Sequence, residues 1–346
     1  MTDAPDRIAE RRPTMRDVAA RAEVSFKTVS RVVNGEGGVS PALAERVRRA
    51  VEELEFRPNA GARTLRRSDS RSAAIALLLA NVANPFSAAV HRAVENVAVP
   101  RGSMVFSASL DEDPVRERTL AREFGARHVD GLIIAPTGDD QSYLAAEMRA
   151  GAAVVCVDRA AAGLAVDSVI STNRLGAAEA VHHLAAAGHR RIAFLCDRTT
   201  IATARERSAG YEEAMRGLGL PLDPRLMISG VCDSAEADGA VTMLLERPDP
   251  PTALFTAQNL ITIGAVRALR RHRAEHRVAL VGFDDFVLAD LLSPAVTVVA
   301  QDPTAIGRTA AEMLFSRIAG DLAPPSVKLV PTTLIRRGSG EIPATA

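Results

Sequence analysis

From Ala73 almost to the end of this 346-residue sequence, apolar runs of four to eight residues alternate with stretches of helical period. Residues 73–80, 103–107, 131–135 and 152–157 are mostly apolar from end to end, where a strand open to water on one face would alternate, so they read as strands buried on both faces. Between them, 85–99, 114–127 and 140–150 carry helical spacing. A second set follows, with strands at 191–196, 253–256, 278–283 and 296–300 and helices at 175–187, 203–218, 235–245, 261–271 and 304–318. Strands that alternate with helices demand crossover connections, hence parallel sheets covered by helices on both faces. Two such sets predict two doubly wound lobes, and a ligand site at the carboxyl ends of the strands, in the cleft between them.

The residues that directly follow these strands are therefore the cleft candidates: Asn84 and Phe86, Asp158 and Arg159, Gln258 and Asn259, Asp284 and Asp285. Arg207, near the start of a helix in the second set, joins them. Carboxylates, a guanidinium and one aromatic ring are the inventory of a sugar site, with charge-assisted bonds to hydroxyls and a ring face over the apolar side of the sugar. Two plainer readings stay open. Asp158 and Asp284 suit caps of the following helices, and Arg207 suits a surface ion pair.

Ahead of this core, residues 14–34 read as two short helices joined by a tight turn. Thr14 and Asp17 make a capping-box start, after which Val18, Ala19 and Ala22 share a face. Glu23 and Val24 break the period. Ser25 caps a second helix whose apolar stripe is Val29, Val32 and Val33 and whose stop is Asn34 and Gly35. Its other face carries Phe26, Lys27, Thr28, Ser30 and Arg31, clustered in the N-terminal half where recognition helices present base-reading groups. Ser40 and Pro41 begin a third helix, with Leu43, Val47, Val51 and Leu54 on one side. A generic three-helix bundle is the alternative, and charge weighs against it. Residues 11–72 hold fourteen Lys or Arg against eight Asp or Glu, while the whole chain carries a formal net charge of +0. A basic module on an otherwise acidic balance suits a phosphate-facing head. Lys27 is also one of only two lysines, with Lys328.

The runs Met15-Arg16-Asp17-Val18-Ala19-Ala20-Arg21-Ala22-Glu23-Val24-Ser25, Thr28-Val29-Ser30-Arg31-Val32-Val33-Asn34 and Arg57-Pro58-Asn59 resemble the N-terminal signature of the lactose-repressor (LacI/GalR) family of bacterial transcription regulators, and the similarity continues over essentially the whole chain. The resemblance implies an all-α helix-turn-helix head followed by a periplasmic-binding-protein-like α/β core of two doubly wound parallel-sheet lobes. The implied organisation is a DNA-binding domain over 1–58, a hinge helix and linker over 59–72, and an effector-binding and dimerisation core over 73–346. Within the core, the first lobe covers about 73–170 and 299–328 and the second about 171–298 and 329–346. Residues 59–72 are too polar and too short to hold a helix alone, and Gly61 lowers the propensity by about 1 kcal/mol. In the family the matching segment folds on the operator and inserts a leucine into a central base step, which implies such roles for Asn59, Ala62 and Leu65. The resemblance likewise implies effector contacts from Phe86, Asp158, Arg159, Arg207, Gln258 and Asp284, with the 207–211 segment and the 281–285 turn lining the pocket. One departure stands out. Where the family usually has Ala-Asn-Asp, this chain has Ala257-Gln258-Asn259, a longer amide expected to reach further into the cleft and an amide in place of a carboxylate.

Other classes find little support. At 47% hydrophobic residues the chain can bury substantial cores. Residues 1–12 are charged and no run of about 18 apolar residues occurs, so a cytoplasmic protein is expected. Cys156, Cys196 and Cys232 lack metal-ligand spacing and read as buried free thiols. His182 and His183 are adjacent on a helix and point apart, so a shared metal is not expected. Neither phosphate-binding glycine loops nor Gly-x-Ser-x-Gly nor His-Glu-x-x-His occurs, so neither catalysis nor a cofactor is expected. The reading is a homodimeric repressor on a pseudo-palindromic operator, controlled by a small sugar-like effector. Phe26, Lys27 and Arg31 would read base edges, while Thr14, Ser25 and Asn34 would fix register through phosphates. The lack of a leucine heptad after Pro331 favours dimers over tetramers. The alternative is a soluble sugar-binding protein whose N-terminal helices do not bind DNA.

Overall fold

The computed structural model describes residues 13–57 and 71–344, which fall into two compact units divided after Ser72. The first holds α1 (Met15–Arg21), α2 (Phe26–Val33) and α3 (Pro41–Glu53). Each helix begins on the hydroxyl residue expected of it. Thr14 and Asp17 form a reciprocal capping box, with the Asp17 carboxylate accepting from the Thr14 amide at 2.7 Å; Ser25 accepts from the Thr28 amide at 3.1 Å and Ser40 from the Leu43 amide at 3.4 Å. Glu23 takes a left-handed φ of 52° in the turn that separates α1 from α2. Val18, Ala22, Val29, Val47 and Ala50 make the core, joined by Phe56, which lies beyond α3 and folds back onto it. The stripe of α2 thus faces its two neighbours, leaving its other side to solvent.

The second unit contains two six-stranded sheets. The first runs in the order β11 (Val327–Val330), β5 (Asp167–Ser171), β4 (Ala153–Val157), β3 (Gly131–Ile134), β1 (Ala74–Leu79) and β2 (Met104–Ser109), all parallel. The second runs β12 (Thr333–Ile335), β10 (Thr297–Ala300), β9 (Ala279–Phe283), β8 (Ala253–Thr256), β6 (Ile192–Leu195) and β7 (Met227–Ile228), parallel except for β12. Side chains alternate between two cores in each lobe. On β1, Ile75, Leu77 and Leu79 enter one core and Ala76 and Leu78 the other. Helices α4 (Pro85–Ala98), α5 (Pro114–Ala126), α6 (Leu144–Arg149) and α11 (Pro303–Ile318) cover the first sheet; α7 (Asn173–Ala186), α8 (Ala202–Gly217), α9 (Ser234–Leu245) and α10 (Asn259–Arg271) cover the second.

Strands β5, β7, β11 and β12 escape a search for apolar runs. Asp167, Ser168 and Ser171 interrupt β5, β7 is two residues long, and β11 and β12 are sheet edges with exposed positions. Helix α6 starts at Leu144, not at residue 140. Asp140 accepts from the Ser142 amide at 2.9 Å and the Gln141 amide donates to Ala162 O at 2.8 Å, which holds these residues outside the helix.

Because β10 belongs to the second sheet and β11 to the first, the chain passes between lobes at residues 172, 301–302 and 331–332, slightly later than the 298 and 328 boundaries expected. Two of these crossings are tied together. The Thr332 amide donates to Thr172 Oγ1 at 3.0 Å, and the two hydroxyls lie 3.1 Å apart.

Candidate functional site

The carboxyl ends of both sheets open onto a cavity of about 290 Å³, at the small end of the range for organic ligands. Phe86, Asp158, Arg159, Arg207, Gln258 and Asp284 all line it. Asp158 follows β4 and Asp284 follows β9 in equivalent geometry. Each adopts a left-handed φ, 65° and 69°, and each donates its amide to the neighbouring strand at 2.9 Å, to Val169 O and Val299 O respectively. Aspartate is among the few non-glycine residues that take up this conformation as single residues. Neither aspartate caps a helix.

Arg207 is not a surface ion-pair residue; it is 5% exposed. Its Nε donates to Asn173 Oδ1 at 2.8 Å, and Nη1 to Ala257 O at 2.7 Å and Asp284 Oδ2 at 3.3 Å. The guanidinium lies over the Phe283 ring, 3.8 Å from its centre. Two glycines make this assembly possible. At Gly210 a Cβ would collide with the Arg174 carbonyl, so glycine lets α8 settle on α7 and carry Arg207 to Asn173; at Gly282 a Cβ would sit 2.6 Å from Thr262 Oγ1.

In the first lobe, Arg159 grips Glu112 with both Nη atoms, at 2.7 and 2.6 Å, and donates to Pro136 O at 3.1 Å. Asp158 lies 3.2 Å from Arg159 Nε. Burial pushes the Asp158 carboxyl above the ordinary carboxylate range; Arg159 and Arg207 oppose that shift, and Asp284 and Glu112 reinforce it.

Gln258 does not reach across the cavity as its length suggested. Its Oε1 turns back to accept the Leu260 amide at 3.0 Å and caps α10, leaving Nε2 3.5 Å from Asp197. Asn259 makes the longer reach. Asn84 Nδ2 donates to Asn259 Oδ1 at 3.2 Å and Asn259 Nδ2 to Asn84 Oδ1 at 3.0 Å, a reciprocal amide pair between the lobes.

The cavity also holds Asp111, Glu112, Asp197, Arg198, Cys232 and Gln301, none of which the sequence reading singled out for it. Asp111 and Glu112 follow β2, Asp197 and Arg198 follow β6, and Gln301 follows β10, so the rule of looking past each strand, applied throughout, would have found five of the six. Conversely, Arg207 is the only lining residue of the 207–211 segment and Asp284 the only one of the 281–285 turn. Tyr211 belongs to the core: it stacks on Phe194 at 4.7 Å and donates to Ile192 O at 2.8 Å. Asp285 pairs with Arg337 through two bonds of 2.7 Å. Cys156 and Cys196 are buried thiols, pushed up to about 12 by burial. Cys232 is not fully buried and accepts from Arg198 Nε at 3.2 Å.

In the head, Phe26 is 44% exposed and Lys27 is exposed beside it, an uncovered apolar ring next to a cation at the start of α2. Ser25 Oγ and Thr28 Oγ1 lie 2.9 Å apart, and Asn34 caps the end of α2 with Nδ2 3.3 Å from Ser30 Oγ. Arg31 is half-buried. Asn59, Ala62 and Leu65 lie outside the described residues. Among the described residues, no group of three or more potential ligands could hold a metal ion, and no helix is long and apolar enough to cross a membrane.

Residues 14–59 match the model for bacterial regulatory proteins of the lacI family, and residues 181–340 that for a periplasmic binding protein-like domain. The transcriptional regulator CelR of Thermobifida fusca is 33% identical over 341 residues, 95% of this chain and 99% of that one. The transcriptional repressor PurR of Aliivibrio fischeri (strain MJ11) is 31% identical over 310 residues, 88% of this chain and 91% of that one. Among solved structures, the Lac repressor dimer bound to operator and the anti-inducer ONPF superposes with a TM-score of 0.81 at 26% identity, covering 95% of this chain and 99% of that one. The CelR–cellobiose complex gives 0.69 at 32% identity, covering 95% and 100%. A capped helix-turn-helix head, a two-lobed core and relatives matched along nearly their full length leave one conclusion: the chain belongs to the LacI family of bacterial transcriptional regulators.

Proposed function

We propose that this regulator acts as a cytoplasmic repressor, binding a pseudo-palindromic operator as a homodimer and releasing or gripping it according to a sugar-like effector held between the lobes. It has no catalytic role in this reading. The head, residues 1–58, meets DNA through α2, with Phe26, Lys27 and Arg31 at base edges and Thr14, Ser25, Thr28 and Asn34 toward the backbone. Residues 59–72, with Asn59, Ala62 and Leu65, form the hinge against the minor groove. Phe86, Asp158, Arg159, Arg207, Gln258 and Asp284 surround the effector.

The observation that carries the reading is a cavity whose charged lining comes from both lobes, in a chain whose head leaves Phe26 and Lys27 uncovered. Dimerisation is supported by apolar side chains on the edge strand β2, Met104 and Phe106, and on the loop carrying Val287, Leu288 and Leu291, all exposed. The sugar reading is supported by the CelR–cellobiose complex, a relative covering nearly the same length.

The test is to select duplexes from a random pool with the full chain, then titrate the winner at several salt concentrations with and without a panel of sugars. A two-fold symmetric site, a steep loss of affinity with salt and an altered affinity with one sugar class are expected. Failure to enrich any symmetric site would overturn the reading.

A further inference from the structure

We propose that the cleft selects an amine-bearing polyol, such as an amino sugar, and discriminates against phosphorylated and carboxylated sugars. The proposal rests on the cleft being the effector site and assigns the chemical class of its occupant. Five carboxylates line the cavity against three guanidinium groups. Two of those guanidiniums are already committed, Arg159 to Glu112 and a carbonyl, Arg207 to Asn173, Ala257 O and Asp284. Arg198 is exposed and gives its Nε to Cys232.

Two buried atoms of the lining are left without a partner, Arg159 Nε as a donor and Gln301 Oε1 as an acceptor. The Asp158 carboxylate, for all its nearness to Arg159, accepts no hydrogen bond among the described residues. Gln301 gives Nε2 to Asp284 Oδ1 at 2.6 Å, and its Oε1 is left buried without a donor. Reversing the Gln301 amide would set two acceptors against each other, so the orientation is fixed. A ligand that completes this lining brings N–H and O–H donors, and an ammonium also compensates uncancelled negative charge. A phosphate would add about two negative charges to a lining in which five carboxylates already outnumber three guanidinium groups.

The test is a thermal-shift titration of the full chain with matched sets built on several hexoses: amino sugar, neutral sugar, sugar phosphate and sugar acid. Within the set that binds, the amino sugar should show an apparent Kd at least tenfold below the neutral sugar, and the two anions should be weakest. Asp158→Asn should erase the amino-over-neutral preference. Tightest binding by a phosphate or acid overturns the proposal while leaving a sugar effector in place. Equal binding of amino and neutral forms does the same. No shift with any member overturns both this proposal and the sugar reading on which it rests.

Discussion

Arg207 divides its guanidinium among a side-chain amide, a backbone carbonyl and the Asp284 carboxylate, with an aromatic ring beneath it. Removing one member of such a buried set strands the others. Arg207→Ala should therefore lower the unfolding free energy of the core by about 3–5 kcal/mol, read from the urea midpoint at constant slope. Asp158 has the opposite character, since burial makes its charge unwelcome despite Arg159 and Arg207, with Asp284 and Glu112 adding repulsion. Its raised carboxyl pKa means that the folded chain binds more protons than the unfolded one between the ordinary value of about 3.9 and the raised one. Stability from this group consequently falls as pH rises through that interval, and Asp158→Asn should remove this component of the pH slope, as urea titrations at stepped pH would reveal. In the head, Arg31→Ala should relax specificity at one operator position by about 1–3 kcal/mol, measured by competition between operators altered one base pair at a time. A uniform loss over all sequences would make Arg31 a phosphate contact instead.

Between elements, the reciprocal bond of Asn84 at the start of α4 with Asn259 at the start of α10 joins the lobes across the cleft. An amide offers a donor and an acceptor at one end, whereas a carboxylate at neutral pH offers acceptors alone. Asn259→Asp keeps the shape but turns one of the two bonds into an oxygen–oxygen contact. The expected result is a more open cleft and about a tenfold weaker effector affinity, the loss of roughly one net hydrogen bond. Asn84→Asp in place of Asn259→Asp should act alike, and isothermal titration of both variants would check it. The sequence marks Asn259 only as a departure from a family pattern; its partner, 175 residues away, is not readable from spacing. The same contrast runs through the molecule. Strands such as β1 and β9 announce themselves because burial on both faces demands unbroken apolar runs, and the caps Thr14, Ser25 and Ser40 because a helix start needs a local acceptor. Edge strands β7, β11 and β12 leave weaker traces, since half their surface faces water. For the site, position after a strand predicts which residues enter the cavity, but the division of labour among them depends on tertiary contacts: Gln258 turning back as a cap, Arg159 absorbed by Glu112.

Across the whole molecule, a small ligand can control DNA binding only through a difference in its affinity for two states of the chain. The core has the parts for two states. Its lobes are joined by three short crossings, two of them bonded through Thr172 and Thr332, and the third carries Gln301, whose amide holds Asp284 in the cavity wall. A ligand that engages Asp284 therefore pulls on a crossing segment directly. Thermodynamic linkage then makes a demand that does not depend on whether the ligand releases or promotes DNA binding. Whatever factor the ligand imposes on operator affinity, the operator must impose on ligand affinity, and couplings of this kind commonly amount to about 1–3 kcal/mol, or 5- to 150-fold. Titrating the best-binding sugar of the thermal-shift panel into the free chain and into the operator complex should give two Kd values whose ratio equals the ratio of operator Kd values with and without that sugar. Gln301→Leu, which removes the bond to Asp284, should shrink both ratios together. If sugar affinity were the same with and without operator while operator affinity changed with the sugar, the two measurements would not describe one equilibrium, and control through the cleft would have to be abandoned.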